Sequence, residues 1–149
     1  METKRTTPER ITELQPNEIF VFGSNLGGQH GGGAARIAYE KFGAEWGVGV
    51  GPTGRTYAIP TMQGGVDTIR PYVDDFIRYA EQHPELTFLV TRVGCGIAGF
   101  RDEHIAPLFA TAREMPNVAL PAGWYELSAA TKPEEPSTCQ RFFNRLFHR

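Results

Sequence analysis

Cysteine is scarce in this chain, with two residues, Cys95 and Cys139, among 149. Their spacing suits neither a metal site nor a disulfide framework, and so sparing a use of thiols is what a reducing compartment predicts. Long apolar runs are missing too. No stretch approaches the ~18 residues that a membrane-crossing helix requires. The opening METKRTTPER holds no apolar core of a secretory signal. Charge of one sign is not in excess either, since the formal net charge is −2. That balance excludes bulk electrostatic attraction to DNA or to an anionic membrane, although it leaves room for a local basic patch. Together these absences predict one soluble, cytoplasmic domain, long enough to bury a proper core.

Glycine, by contrast, is plentiful and clustered. Residues 20–39 read FVFGSNLGGQHGGGAARIAY. Ile19 to Phe22 is a short apolar run of strand composition. Six glycines then fall within eleven residues: Gly23, Gly27, Gly28, Gly31, Gly32 and Gly33. Ala34-Ala35-Arg36-Ile37-Ala38-Tyr39 reads as the start of a helix. Strand, glycine loop and helix in that order present main-chain N–H groups and a positive helix terminus to an anion. An ordinary turn needs one or two glycines, so the surplus argues for a ligand loop. A second loop of this kind, Gly94-Cys95-Gly96-Ile97-Ala98-Gly99-Phe100, follows the β-rich run TFLVTRV at 87–93.

The remaining chain supplies the scaffold. Residues 1–16 are polar, with Ile11 and Leu14 as anchors. Residues 33–42 are expected as a helix that carries Ile37 and Ala38 and stops at Gly43. Val48, Val50 and Tyr57-Ala58-Ile59 suggest two short strands around a Gly51-Pro52-Thr53-Gly54 turn. Residues 67–82 are the best helix, because Ile69, Val73, Phe76, Ile77 and Ala80 share one stripe. Asp67 suits its start, and Pro71 is tolerable in the first turn. Asp102 is read as the cap of a further helix whose Ile105, Leu108, Phe109 and Ala112 share a face. Val118-Ala119-Leu120 is a short strand that residues 124–127 continue or flank.

This order predicts an α/β fold with helices covering a mostly parallel sheet. Ligands of such sheets bind outside the carboxyl ends of the strands, where both glycine loops would open. Residues 1–127 form the domain on this reading. Residues 128–149 are a linker, SAATKPEEPST, and an amphipathic helix, CQRFFNRLFHR, with a capping box from Ser137 to Gln140. Phe142, Phe143, Leu146 and Phe147 would share one face, for docking on the chain's own domain, on a partner or on a membrane surface.

The two loops resemble those of macro domains, the family that binds ADP-ribose. VFGSNLGGQHGGGAARIA is similar to that family's Asn-containing strand end and glycine-rich turn into a helix. RVGCGIAGFRDEHIAPL and the strand end Ala58-Ile59-Pro60-Thr61 are similar to one branch in particular. That branch contains the terminal ADP-ribose glycohydrolase of eukaryotes and a bacterial antitoxin that removes ADP-ribose from DNA. The resemblance runs from about Ile11 to Pro121. It implies a macro-domain-like three-layer α/β/α fold with a site for ADP-ribose or a related NAD-derived nucleotide, free or attached to protein or nucleic acid. The binding residues it implies are Gly23, Ser24, Asn25, Gly31, Gly32, Gly33, Ala34 and Thr61, with Gly94, Cys95, Gly96, Ile97, Ala98, Gly99 and Phe100. Amides of 31–34 and 95–100 would line the diphosphate, and Asn25 would reach the distal ribose, with a left-handed turn residue as its alternative. Phe100 would cover the ribose or the adenine, with core packing as its alternative. No metal or cofactor is implied.

The family's catalytic groups do not stand at the matching positions. Met62 occupies the place of the branch's ribose-attacking lysine, and Ala98 stands near the place of its acid. Met cannot form a Schiff base and Ala cannot transfer a proton. Ala34-Ala35 lies where other hydrolytic members carry a water-activating Asp, and Glu9 or Arg10 where many members read adenine with an acid. The resemblance therefore implies a module that holds its ligand without cleaving it. The alternative is an ADP-ribosyl hydrolase with a different constellation, for which His30, Asp102 and Asp67 are the catalytic candidates. Their plainer readings are a solvated turn residue for His30 and helix starts for the two acids. Cys95 reads as a space-filling thiol rather than a nucleophile. A third reading is an interaction domain with a degenerate pocket.

Overall fold

The computed structural model describes residues 6–129, so Cys139 and the C-terminal amphipathic segment lie outside the described residues. The first apolar run forms β1 (Glu18–Ser24), and the glycines after it lead into α1 (Gly33–Lys41). β2 (Gly51–Thr53) and β3 (Thr56–Pro60) make a hairpin, followed by α2 (Val66–Glu81) and β4 (Thr87–Val90). A one-turn helix, α3 (Asp102–Ile105), runs into a 3-10 helix (Ala106–Glu114). β5 (Val118–Ala119) and α4 (Trp124–Ala129) complete the chain's described part. The strands form one sheet in the order β2-β3-β1-β4-β5, parallel except for the β2–β3 hairpin. The fold is α/β with a mostly parallel sheet, as the element order predicts.

Alternation along β1 sends Phe20 and Phe22 to one face of the sheet and Val21 to the other. On the first face they pack with Ala58, with Ala35 and Ala38 of α1, and with Phe42, while Ile11 and Leu14 rest on the edge of this cluster. On the second face Val21, Ile59, Phe88 and Val90 meet the predicted α2 stripe, the buried residues of the 3-10 segment and Trp124. Helices thus cover both faces. The N-terminal segment is tied beside β5, because Thr7 donates from its N–H to Leu120 O and from Oγ1 to Ala119 O, both at 2.9 Å. No helix among the described residues is long and apolar enough to cross a membrane.

Several local expectations are corrected. The β2 strand starts at Gly51, past Val48 and Val50, and the turn falls on Gly54-Arg55. The pairing of Thr53 with Thr56 leaves a two-residue loop, the length that suits a twisted hairpin. Ile37 is exposed, and Ala35 and Ala38 are the α1 residues that face the sheet. The face Ile105–Ala112 is buried as expected, but not on one α-helix. Pro107 has no N–H to donate to residue 103, and the chain tightens to 3-10 with non-helical torsions at Phe109. Residues 124–127 are helical rather than extended: packing of Trp124 and the Ser128 Oγ bond to Trp124 O (2.7 Å) override the strand propensity of Trp-Tyr. Ser128 and Ala129 accordingly belong to α4 and not to a linker.

Candidate functional site

β1 is flanked by β3 and β4, both parallel to it, so three carboxyl ends emerge side by side at the centre of the sheet. A cleft of about 150 Å³ opens there. Of the residues expected to bind, Gly23, Ser24, Asn25, Gly32, Gly33, Ala34, Thr61, Gly94, Gly96, Ile97 and Ala98 line it. The strand ends meet closely at Gly23, where an added Cβ would lie 3.1 Å from Gly94 N and 3.3 Å from Thr61 Oγ1. Only glycine fits that gap without displacing one of them. The two loops also meet across the cleft: Ile97 Cδ1 lies 3.1 Å from where a Cβ on Gly32 would stand. Amides of Gly96, Ile97 and Ala98 donate to no other group among the described residues.

Asn25 lines the cleft while bracing its own loop. Its Nδ2 donates to Gln29 O at 2.9 Å, and its Oδ1 accepts from Gln29 N at 3.0 Å. Each amide atom retains one further hydrogen-bonding position for a ligand. Asn25 is not a left-handed turn residue, since among the described residues only glycines have positive φ.

Gly31, Cys95, Gly99 and Phe100 do not line the cleft. Phe100 packs instead on the core of the second face, and its ring lies against Gly94. Core packing wins because the bond from Phe100 N to Gly94 O (2.8 Å) turns the residue back under the loop. Gln29, Ala35, Met62, Thr91, Arg92 and Val93 line the cleft without having been expected as binders. The parallel register could have found three of them. Val21 pairs with Val90, so the residues after Val90 come to lie beside those after Val21. Arg10 lines a separate hollow of about 250 Å³ under the N-terminal segment, which shares no residue with the cleft.

The catalytic candidates are not gathered in the cleft. His30 is neither a solvated turn residue nor a cleft residue, being 1% exposed. Its Nε2 bonds Glu45 O at 3.0 Å, and its ring packs edge-on against Phe22 and Trp46 at centroid distances of 5.4 and 6.0 Å. Nδ1 has no partner. Asp67 is exposed on the first turn of α2 and does not line the cleft. Asp102 is not the N-cap of α3, a position that Arg101 takes. Its carboxylate accepts instead from Arg92 Nε at 2.9 Å, Arg92 Nη2 at 3.0 Å and Trp124 Nε1 at 2.8 Å. Arg92 holds that carboxyl below its ordinary range.

Burial, and then the Asp102 carboxylate, push the Cys95 thiol up to about 12. A group shifted from 9.0 to about 12 carries roughly a thousandfold less thiolate near neutral pH, and the thiolate is the nucleophile. In a Cys139→Ser background, Cys95 is expected to react with iodoacetamide at pH 7.5 about 10–100-fold more slowly than free cysteine, because the greater nucleophilicity of a high-pKa thiolate offsets part of its scarcity. Labelling at the free-cysteine rate would show that the site opens to solvent. No protein-family model, curated protein or solved structure matches the chain.

Proposed function

We propose that the protein is a macro-like domain that binds ADP-ribose or a related NAD-derived nucleotide in this cleft without cleaving it. The observation that carries the reading is the pair of glycine loops. They leave the adjacent parallel strands β1 and β4 and approach each other at Ile97 and Gly32, with free amides on the second loop. Free main-chain donors next to the N-terminus of α1 suit a diphosphate. The cleft's 150 Å³ is below the roughly 300–1,000 Å³ of pockets that enclose a whole ligand. It suits the diphosphate and one ribose, with the base on the open side. Binding rather than cleavage is supported by Met62 and Ala98, which line the cleft where the resembled branch carries its lysine and its acid. The ligand is free, or carried on a protein or nucleic acid.

Calorimetric titration with ADP-ribose, with NAD, AMP and ADP alongside, tests this. Ligand at about a hundredfold above its Kd should stabilise the fold by roughly 2.7 kcal/mol, a thermal shift on the order of 5–10 °C. Selective binding of ADP-ribose is the expected result. Binding of none of the four would overturn the ligand assignment.

A further inference from the structure

We infer that Arg92 selects the charge of what enters this cleft: its guanidinium, held in place by Asp102, donates to a phosphoryl oxygen, so that nucleotides are admitted and uncharged nucleosides are not. The inference rests on the cleft proposed above as the nucleotide site. Arg92 is the one charged side chain among the described residues that line the cleft, whose other members are glycines, small residues, amides and apolar groups. A lone cation among main-chain donors makes an anion the matching ligand.

The local geometry leaves that cation usable. Nε and Nη2 donate in a fork to the two carboxylate oxygens of Asp102. The fork uses two of the five N–H groups that a guanidinium carries, and the other three make no hydrogen bond among the described residues. Asp102 is itself fixed, because the wholly buried Trp124 donates its indole N–H to the same carboxylate. The backbone beneath is anchored as well, through the bonds from Thr91 N (3.1 Å) and Thr91 Oγ1 (2.7 Å) to Val21 O. Asp102 lowers the net charge at the cleft but removes much of the rotamer freedom that Arg92 would otherwise lose when a ligand arrives. The Arg92 side chain is 58% exposed, so the guanidinium stays within reach of a ligand while the Asp102 fork fixes its orientation. Asp102 is thus a positioning residue that acts through Arg92.

The test is titration of the full chain with ADP-ribose, ADP and adenosine at about 50 and 200 mM salt, chosen so that screening differs between the arms. Arg92→Ala and Arg92→Gln should weaken ADP-ribose and ADP about 10–100-fold, leave adenosine unaffected and flatten the salt dependence. Arg92→Lys should recover only part, since an ammonium cannot serve the Asp102 fork and a phosphate together. Asp102→Asn should weaken binding in the parent chain and add nothing in the Arg92→Ala chain, a non-additivity that a general structural defect does not produce. The inference is overturned if Arg92→Ala and Arg92→Gln both stay within about twofold of the parent. It is overturned equally if the parent binds adenosine as tightly as ADP, or binds none of the three. Arg92-dependent binding of ADP without binding of ADP-ribose would uphold the role of Arg92 and remove the ADP-ribose reading.

Discussion

Gly32→Glu is expected to abolish ADP-ribose binding, by at least about 100-fold, while the domain stays as stable as the parent. Gly32 has φ −156° and ψ 169°, extended torsions that any residue adopts. A Cβ there meets only the Ile97 Cδ1 tip at 3.1 Å, the movable end of an exposed side chain. The backbone therefore accepts glutamate without strain. Its carboxylate sits at the N-cap of α1, where negative charge is favourable by about 0.3–1 kcal/mol. In the cleft the same carboxylate fills the diphosphate path and repels the phosphates that the path would hold. Calorimetry and thermal melting on one sample separate the two effects. Retained affinity in a folded variant would place the ligand elsewhere and sink the proposed site.

Gly28→Ala is expected to cost about 3–5 kcal/mol of stability, because two backbones touch at that point. Gly28 has φ +68°, and an alanine Cβ would stand 2.2 Å from Gly47 C and 2.4 Å from Val48 N. Left-handed torsions alone cost a non-glycine residue roughly 1–2 kcal/mol, and the clash has no flexible atom to absorb it. Relief requires separating the loop that carries Asn25 from residues 44–49, which breaks the Gly47 N to Gly28 O bond (2.9 Å). Separation also strains the neighbouring Ser24 Oγ to Gly49 O bond. Urea denaturation should show the loss, and thermal melting a fall on the order of 10 °C. Gly31→Ala is the control, since nothing lies within 4 Å of its Cβ and its φ is not positive. It should stay within about 1 kcal/mol of the parent. An equally mild Gly28→Ala would mean that the loops are not docked in solution.

The same residues show what was legible beforehand and what was not. Both glycine loops, the strands before them and the α2 stripe were readable, because each depends on local chemistry: backbone freedom, β-branching and helical spacing. Eleven of the expected binders do line one cleft. His30 sits among glycines and reads locally as solvated, yet Tyr39 and Trp46 close over it from outside that loop. Trp124 has strand composition, yet its indole N–H reaches Asp102, and the segment winds into α4. Arg92 carries no local signal at all and reaches the cleft because β4 pairs with β1.

The sequence by itself thus determined the class of fold, where the chain breaks from strand into glycine loop, and the glycine-rich, main-chain character of the two loops. Those follow from torsional preference and apolar periodicity within a few residues. Only the tertiary structure decided that Phe100 serves the core, that Asp102 serves Arg92, and that His30 is buried. Each outcome depends on which distant residue arrives beside it, and the strand order β3-β1-β4 that brings those residues together is set by burial over the whole sheet.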